Sequence, residues 1–122
     1  MYTAIVLDSR SRDLVISRAR GLRITSAGWR EIAHHVTLCM GEKPGKFKRG
    51  QSRRVVATHY GVTDGRVCAF RVKGAEDSEN ALPHVTVAVA EGAKPVESNA
   101  IAEWKELEKE QIFSLVGKVE VC

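Results

Sequence analysis

The chain has 122 residues, 43% of them hydrophobic and 28% charged, which suits one globular domain spanning 1–122 and leaves no room for two. No apolar run approaches the roughly 20 residues of a membrane-spanning helix, and residues 1–8 lack the basic start and small-residue cleavage site of a signal peptide. A cytoplasmic monomer with no membrane partner is therefore expected, and the net charge of +4 favours anionic partners only weakly.

Residues 2–7 are apolar or β-prone and stop at Asp8-Ser9, which predicts a buried strand. Asp8 or Ser9 then caps a helix with Leu14, Val15, Ala19 and Leu22 on its apolar side, although Val15, Ile16 and the segment Arg23-Ile24-Thr25 also suit a strand. Residues 34–40 form a strand ended by Gly41. Lys43, Lys46, Lys48, Arg49, Arg53 and Arg54 follow within a dozen residues, broken by Pro44, Gly45 and Gly50, and predict a basic, mobile loop. Such a loop either attracts phosphates or is merely solvated. Two strands, Arg53–Tyr60 and Val67–Val72, flank Gly61 and Asp64-Gly65, which carry hairpin-turn chemistry. A strand over His84–Ala90, a loop over Glu91–Pro95, a helix capped by Ser98 or Asn99 and running to about Glu110, and a strand over 111–121 complete the chain. About six strands and two helices in this order predict an α+β fold with antiparallel or mixed sheets.

The three cysteines, Cys39, Cys68 and Cys122, form no C-x-x-C pair, so neither a zinc knuckle nor a thioredoxin-type site is supported. Cys39 and Cys68 lie in apolar stretches and read as small core residues.

Two strands open with the same motif. The first reads His35-Val36-Thr37-Leu38-Cys39-Met40-Gly41-Glu42 and the second His84-Val85-Thr86-Val87-Ala88-Val89-Ala90-Glu91. Alternation puts His35 with Thr37, and His84 with Thr86, on one strand face, with the valines and leucine on the other. If the strands lie close, two imidazoles and two hydroxyls converge. One imidazole then takes a proton from an attacking oxygen while the other, protonated, gives one to the leaving oxygen, and both states of histidine exist near neutral pH. The threonine hydroxyls can donate to phosphoryl oxygens where negative charge must be held. This chemistry demands no metal and no cofactor. Solvent-exposed alternation over a buried apolar face would give the same pattern on either strand alone.

The duplicated motif resembles that of the 2H phosphoesterase superfamily, which includes RNA 2′,3′-cyclic phosphodiesterases and 2′-5′ RNA ligase-like proteins. The matching residues are His35, Thr37 and Leu38, then His84, Thr86 and Val87. The resemblance implies a compact, bilobal, pseudo-symmetric α+β fold in which each small lobe brings one motif to a central cleft. It implies hydrolysis of a phosphodiester in a cyclic or 2′-linked nucleotide or an RNA end, with His35 and His84 catalytic and Thr37 and Thr86 binding substrate. The chain is shorter than most members of that family. The segment Gly92–Asn99 looks like a loop delivering a helix N-terminus near the second motif, with Lys94 as a further phosphate contact.

The remaining candidates read as structural. His34 falls on the apolar-face parity and suits a strand-end histidine bonded to backbone, and His59 lacks a threonine two residues on. A zinc site from His34, His35, His59 and His84 conflicts with the opposite directions of adjacent strand residues. Trp29 and Trp104 read as packing residues, whereas Tyr2, Tyr60 and Phe70 are each able to stack on a nucleobase. The rival to catalysis is a module on the same fold that binds RNA or a nucleotide without cleaving it.

Overall fold

The opening apolar run forms β1 (Tyr2–Leu7) and Asp8 caps α1 (Ser9–Leu22) in the computed structural model, which describes every residue except Asp64. The Asp8 carboxylate accepts a hydrogen bond from the Ser11 N–H at 2.7 Å, a capping contact that stabilises a helix by ~1 kcal/mol. Val15 and Ala19 are fully buried, with Leu14 and Leu22 beside them, as the apolar spacing predicts. Arg23, in the left-handed region at φ 59°, ends the helix.

The remaining strands are β2 (Arg30–Glu31), β3 (His35–Met40), β4 (Ser52–Thr63), β5 (Val67–Lys73), β6 (His84–Val89), β7 (Trp104–Glu106) and β8 (Phe113–Val121). They form one barrel-like sheet in the order β2-β6-β3-β1-β8-β4-β5, and a further β5–β6 pairing closes the ring. Every pairing is antiparallel. Val36, Leu38, Val85 and Val87, on the apolar face of the two motif strands, share one core with Val15 and Ala19 of α1. The α+β class stands. Cys39 and Cys68 are buried as expected, and burial pushes the Cys68 thiol up to about 11. No helix among the described residues is long and apolar enough to cross a membrane.

Three expectations change. The helix expected from Ser98 to Glu110 is a 3-10 helix at Pro95–Ala100, the strand β7, and a 3-10 turn at Lys109–Gln111. The reason lies in β4: its first half is paired to β8, and its second half offers an open edge at His59–Gly61 that β7 fills. Sheet pairing overrides local helix preference there. Gly61 is accordingly a strand residue and not a turn residue. A Cβ there would lie 2.5 Å from Ile101 Cγ2 and 2.9 Å from Trp104 Cε3, so only glycine lets that segment close. Asp64, named with Gly65 for the turn, lies outside the described residues, and Gly65 stands at φ 64°.

The basic loop is anchored. Phe47 is 4% exposed in the main core, and burying a phenylalanine contributes roughly 1.5–3 kcal/mol. Lys43 and Lys46 pair with Glu79, Arg49 with Glu120 and Arg53 with Asp77. Exposed ion pairs of this kind contribute about 0–1 kcal/mol each, so Phe47 is the larger tether.

Candidate functional site

The two motif strands are neighbours. Val36 pairs with Val85 in antiparallel register, which makes β3 and β6 neighbours at the start of both motifs. Past this point the edge of β3 passes to another segment: Ser78 Oγ donates to the Thr37 carbonyl at 2.9 Å, and the Glu79 N–H donates to that of Leu38 at 2.7 Å. The partly exposed His35, Thr37, His84 and Thr86 all line one cleft of about 510 Å³. Tyr2 and Met40, paired across β1 and β3, flank it on one side. Pro95, Val96 and Ser98, from the 3-10 helix packed on β5 and β6, flank it on the other. His34, Ile32, Asn80 and Asn99 complete the lining.

His84 is held at both ring nitrogens. Nδ1 lies 2.8 Å from the Leu82 carbonyl, which only accepts, so Nδ1 carries a proton. Nε2 then faces Ser98 Oγ at 2.9 Å, and Ser98 Oγ also lies 2.8 Å from Thr86 Oγ1 and 2.8 Å from the Pro95 carbonyl. The hydroxyl proton of Ser98 has a destination in either state of His84, with Thr86 Oγ1 donating to Ser98. With His84 neutral it goes to the bare Nε2. With His84 protonated, Nε2 donates to Ser98 and the hydroxyl proton turns to Pro95. The ring thus keeps its orientation in either state. Burial lowers the pKa of His84, and the Leu82 carbonyl acts against that shift.

His35 is held differently. Its Nδ1 lies 3.0 Å from Nδ1 of His34, a contact that needs a proton on one nitrogen and a lone pair on the other. The pair therefore tolerates one added proton but not two. Tyr2 lies against His35 with ring centroids 4.8 Å apart. Nε2 of His35 has no hydrogen-bond partner among the described residues and is open to a ligand. Burial foremost, then the neighbouring His34 and His84, lower the pKa of His35 to about 4, so it is a neutral imidazole at physiological pH.

Lys94 is not part of the cleft lining; its backbone N–H donates to Glu97 at 2.7 Å, and the short 3-10 helix it precedes offers no long helix terminus to an anion. His59 stands apart, with its ring 2.8 Å from Thr58 Oγ1. Phe70 is fully buried, edge-on to Phe113 at 5.0 Å, and Tyr60 packs against the core, which leaves Tyr2 as the aromatic at the cleft. Trp104 packs over Gly61 and lies 5.9 Å from the His84 ring. No group of three histidine, cysteine or acidic side chains among the described residues is arranged to hold a metal ion.

Two site residues escape a reading of strand grammar. His34 bonds to the His35 ring and not to backbone through its own, because Ala33 at φ 41° and the two-residue register change between the β2–β6 and β3–β6 pairings break the alternation just before it. Ser98 looks like a helix cap in sequence, yet it is 2% exposed and bonded to both members of the second motif. The adjacent histidine pair is a visible signal for the first; the second has none beyond its distance from His84 in the chain. No protein-family model matches the chain, and no curated protein matches it.

Proposed function

We propose that the protein is a metal-independent phosphodiesterase of the 2H type, cleaving a phosphodiester in a cyclic or 2′-linked nucleotide or an RNA end. The observation that carries this reading is the Val36–Val85 pairing, which makes the two motif strands neighbours, with His35, Thr37, His84 and Thr86 lining one cleft. The ring connectivity supports it. Exchanging β1 with β5, β3 with β6 and β4 with β8 leaves the pairings within the six-strand ring unchanged, as a duplicated, two-lobed ancestor with one motif per half would leave them, while β2 and β7 stand outside that symmetry.

The two environments suggest a division of labour. His35, neutral and with Nε2 open, serves as general base toward the attacking oxygen. His84, whose Nδ1 proton is fixed by Leu82, gives its Nε2 proton to the leaving oxygen, which competes with Ser98 for it. Thr37 and Thr86 donate to the non-bridging oxygens. Because both pKa values lie below the ordinary histidine value, kcat/KM should form a bell on the acid side of neutrality. The lower limb reports the protonation of His35 near about 4, and the upper limb the loss of the proton from His84.

A product assay on nucleoside 2′,3′-cyclic phosphates, cyclic dinucleotides and 2′-5′ linked oligonucleotides tests the proposal. Turnover that survives a strong chelator and is lost in His35→Ala and His84→Ala is the expected result. Binding without product over long incubation would instead favour the non-catalytic nucleotide-binding module, and loss of activity to the chelator would point to a metal.

A further inference from the structure

The charge inventory of the cleft narrows the substrate class. None of its lining residues is Lys, Arg, Asp or Glu; its polar groups are imidazoles, hydroxyls and two amides. Asn80 Nδ2 donates to Asn99 Oδ1 at 3.4 Å, bridging the loop before β6 to the 3-10 helix with neutral groups. The rim is apolar on both flanks. Met40 is 72% exposed beside Tyr2, and Val96 is 65% exposed beside Pro95, two of the largest exposures among the big hydrophobic side chains. Four of the six clustered cations, Lys43, Lys46, Arg49 and Arg53, are paired with carboxylates, which weakens any basic track leading to the site.

We propose that this cleft selects a small, singly charged phosphodiester with an apolar or flat group on either side of the phosphate, and discriminates against phosphomonoesters and polyanionic strands. The inference rests on the phosphodiesterase reading above and specifies its substrate. A diester phosphate brings one negative charge, which imidazole and hydroxyl donors can hold. A phosphomonoester carries up to two, its second ionisation lying near pH 6. Partly burying that second charge without a cation carries a desolvation cost that the diester escapes. Met40 and Tyr2 on one flank and Pro95 and Val96 on the other offer apolar surface to a nucleobase or a sugar face. Hydrolysis balances simply: water adds across one P–O bond, one product oxygen keeps the phosphoryl group and the other leaves as a hydroxyl. Above that second ionisation the product carries more charge than the substrate, and a cleft whose lining holds no cation favours its release.

The test compares three substrates in both turnover and binding: a nucleoside 2′,3′-cyclic phosphate, the same compound bearing a 5′-phosphate, and an RNA oligonucleotide ending in a 2′,3′-cyclic phosphate. The added 5′-phosphate should lower kcat/KM and affinity about tenfold or more, and the dependence of log(kcat/KM) on log salt for the mononucleotide should have a slope shallower than about −1, against about −0.7 per phosphate contact for a strand held by cations. Met40→Lys and Val96→Lys, both at exposed positions, should shift the preference toward the 5′-phosphorylated and oligonucleotide substrates. A preference of the unaltered protein for the oligonucleotide with a slope of several, or a gain from the 5′-phosphate, overturns the selectivity while leaving the phosphodiesterase reading intact. Binding of the cyclic mononucleotide with the expected charge preference but no product overturns the catalytic reading alone. Failure to bind any of the three overturns this inference.

Discussion

His35 and His84 open strands of equal length with matching apolar faces, yet the chain around each holds its ring in a different way. His84 is fixed at both nitrogens, by a backbone carbonyl two residues earlier and by Ser98 fourteen residues later. His35 is fixed at one nitrogen, by the imidazole of its own neighbour, and is covered by Tyr2 from β1. The threonines differ in parallel. Thr86 Oγ1 is bonded to Ser98, whereas the side chain of Thr37 has no such tie among the described residues. Duplicated motifs supply the same functional groups, and the unlike loops decide which group is free to meet a ligand and which arrives already engaged.

The largest expected effect comes from removing either ring. His35→Ala and His84→Ala should each lower kcat by about 10² to 10⁴, the usual contribution of a positioned acid or base, with circular dichroism unchanged. Equal losses in both, non-additive in the double variant, would mark them as one catalytic unit. A full-rate His84→Ala would break the comparison at once, leaving His35 with an ordinary basic role.

Next in size are the hydroxyls. Thr37→Val keeps the shape and removes a free donor, so kcat/KM should fall by on the order of 10², as for a lost oxyanion donor. Thr86→Val should cost less activity and more stability, because its hydroxyl already serves Ser98. The reverse order in a steady-state and thermal-melt comparison would show that Ser98 yields Thr86 to the substrate.

Much of this was legible in the chain, and the misses have physical causes. Strand alternation fixed the faces of His35, Thr37, His84 and Thr86, and the turn residue Gly41, at φ 73°, ends β3 as expected. Alternation failed at His34 because it presumes regular backbone, and Ala33 at φ 41° is not regular. The second helix failed because the spacing of Ile101, Trp104 and Leu107 satisfies a helical stripe, while the real partner of that segment, the open edge of β4, lies over forty residues upstream in the chain. The basic loop is the same case: its cations stand without partners along the chain, and only folding brings Glu79, Asp77 and Glu120 beside them.

Ser98→Ala should have a smaller effect on rate, about tenfold, but a diagnostic one on pH. Without that hydroxyl both states of His84 lose a bond at Nε2, and the charge-assisted bond of the protonated ring is the stronger, so the upper limb of the bell should move to lower pH. Ser98→Thr, which restores a hydroxyl, should return the limb toward its original position, an outcome that mere loss of packing would not give. An unmoved limb in Ser98→Ala would reduce Ser98 to a loop tether.

The smallest effect is on stability, and its sign follows from the same contrast. Burial holds the folded-state pKa of His35 near about 4, below the unfolded value of about 6.5. Between these two values the unfolded chain binds a proton that the folded chain refuses, so acidification through that window favours unfolding. The stability that neutral His35 provides is present above about pH 6.5 and is lost as pH falls toward 4. His84, whose pKa is also lowered by burial, contributes in the same direction, offset in part by the Leu82 carbonyl. Thermal melts of His35→Gln should therefore show a shallower loss of Tm between pH 6.5 and pH 4 than the parent, with His84→Gln changing the slope less. A parent slope that neither substitution alters would mean that the two rings do not carry the burial difference from which their separate roles are inferred.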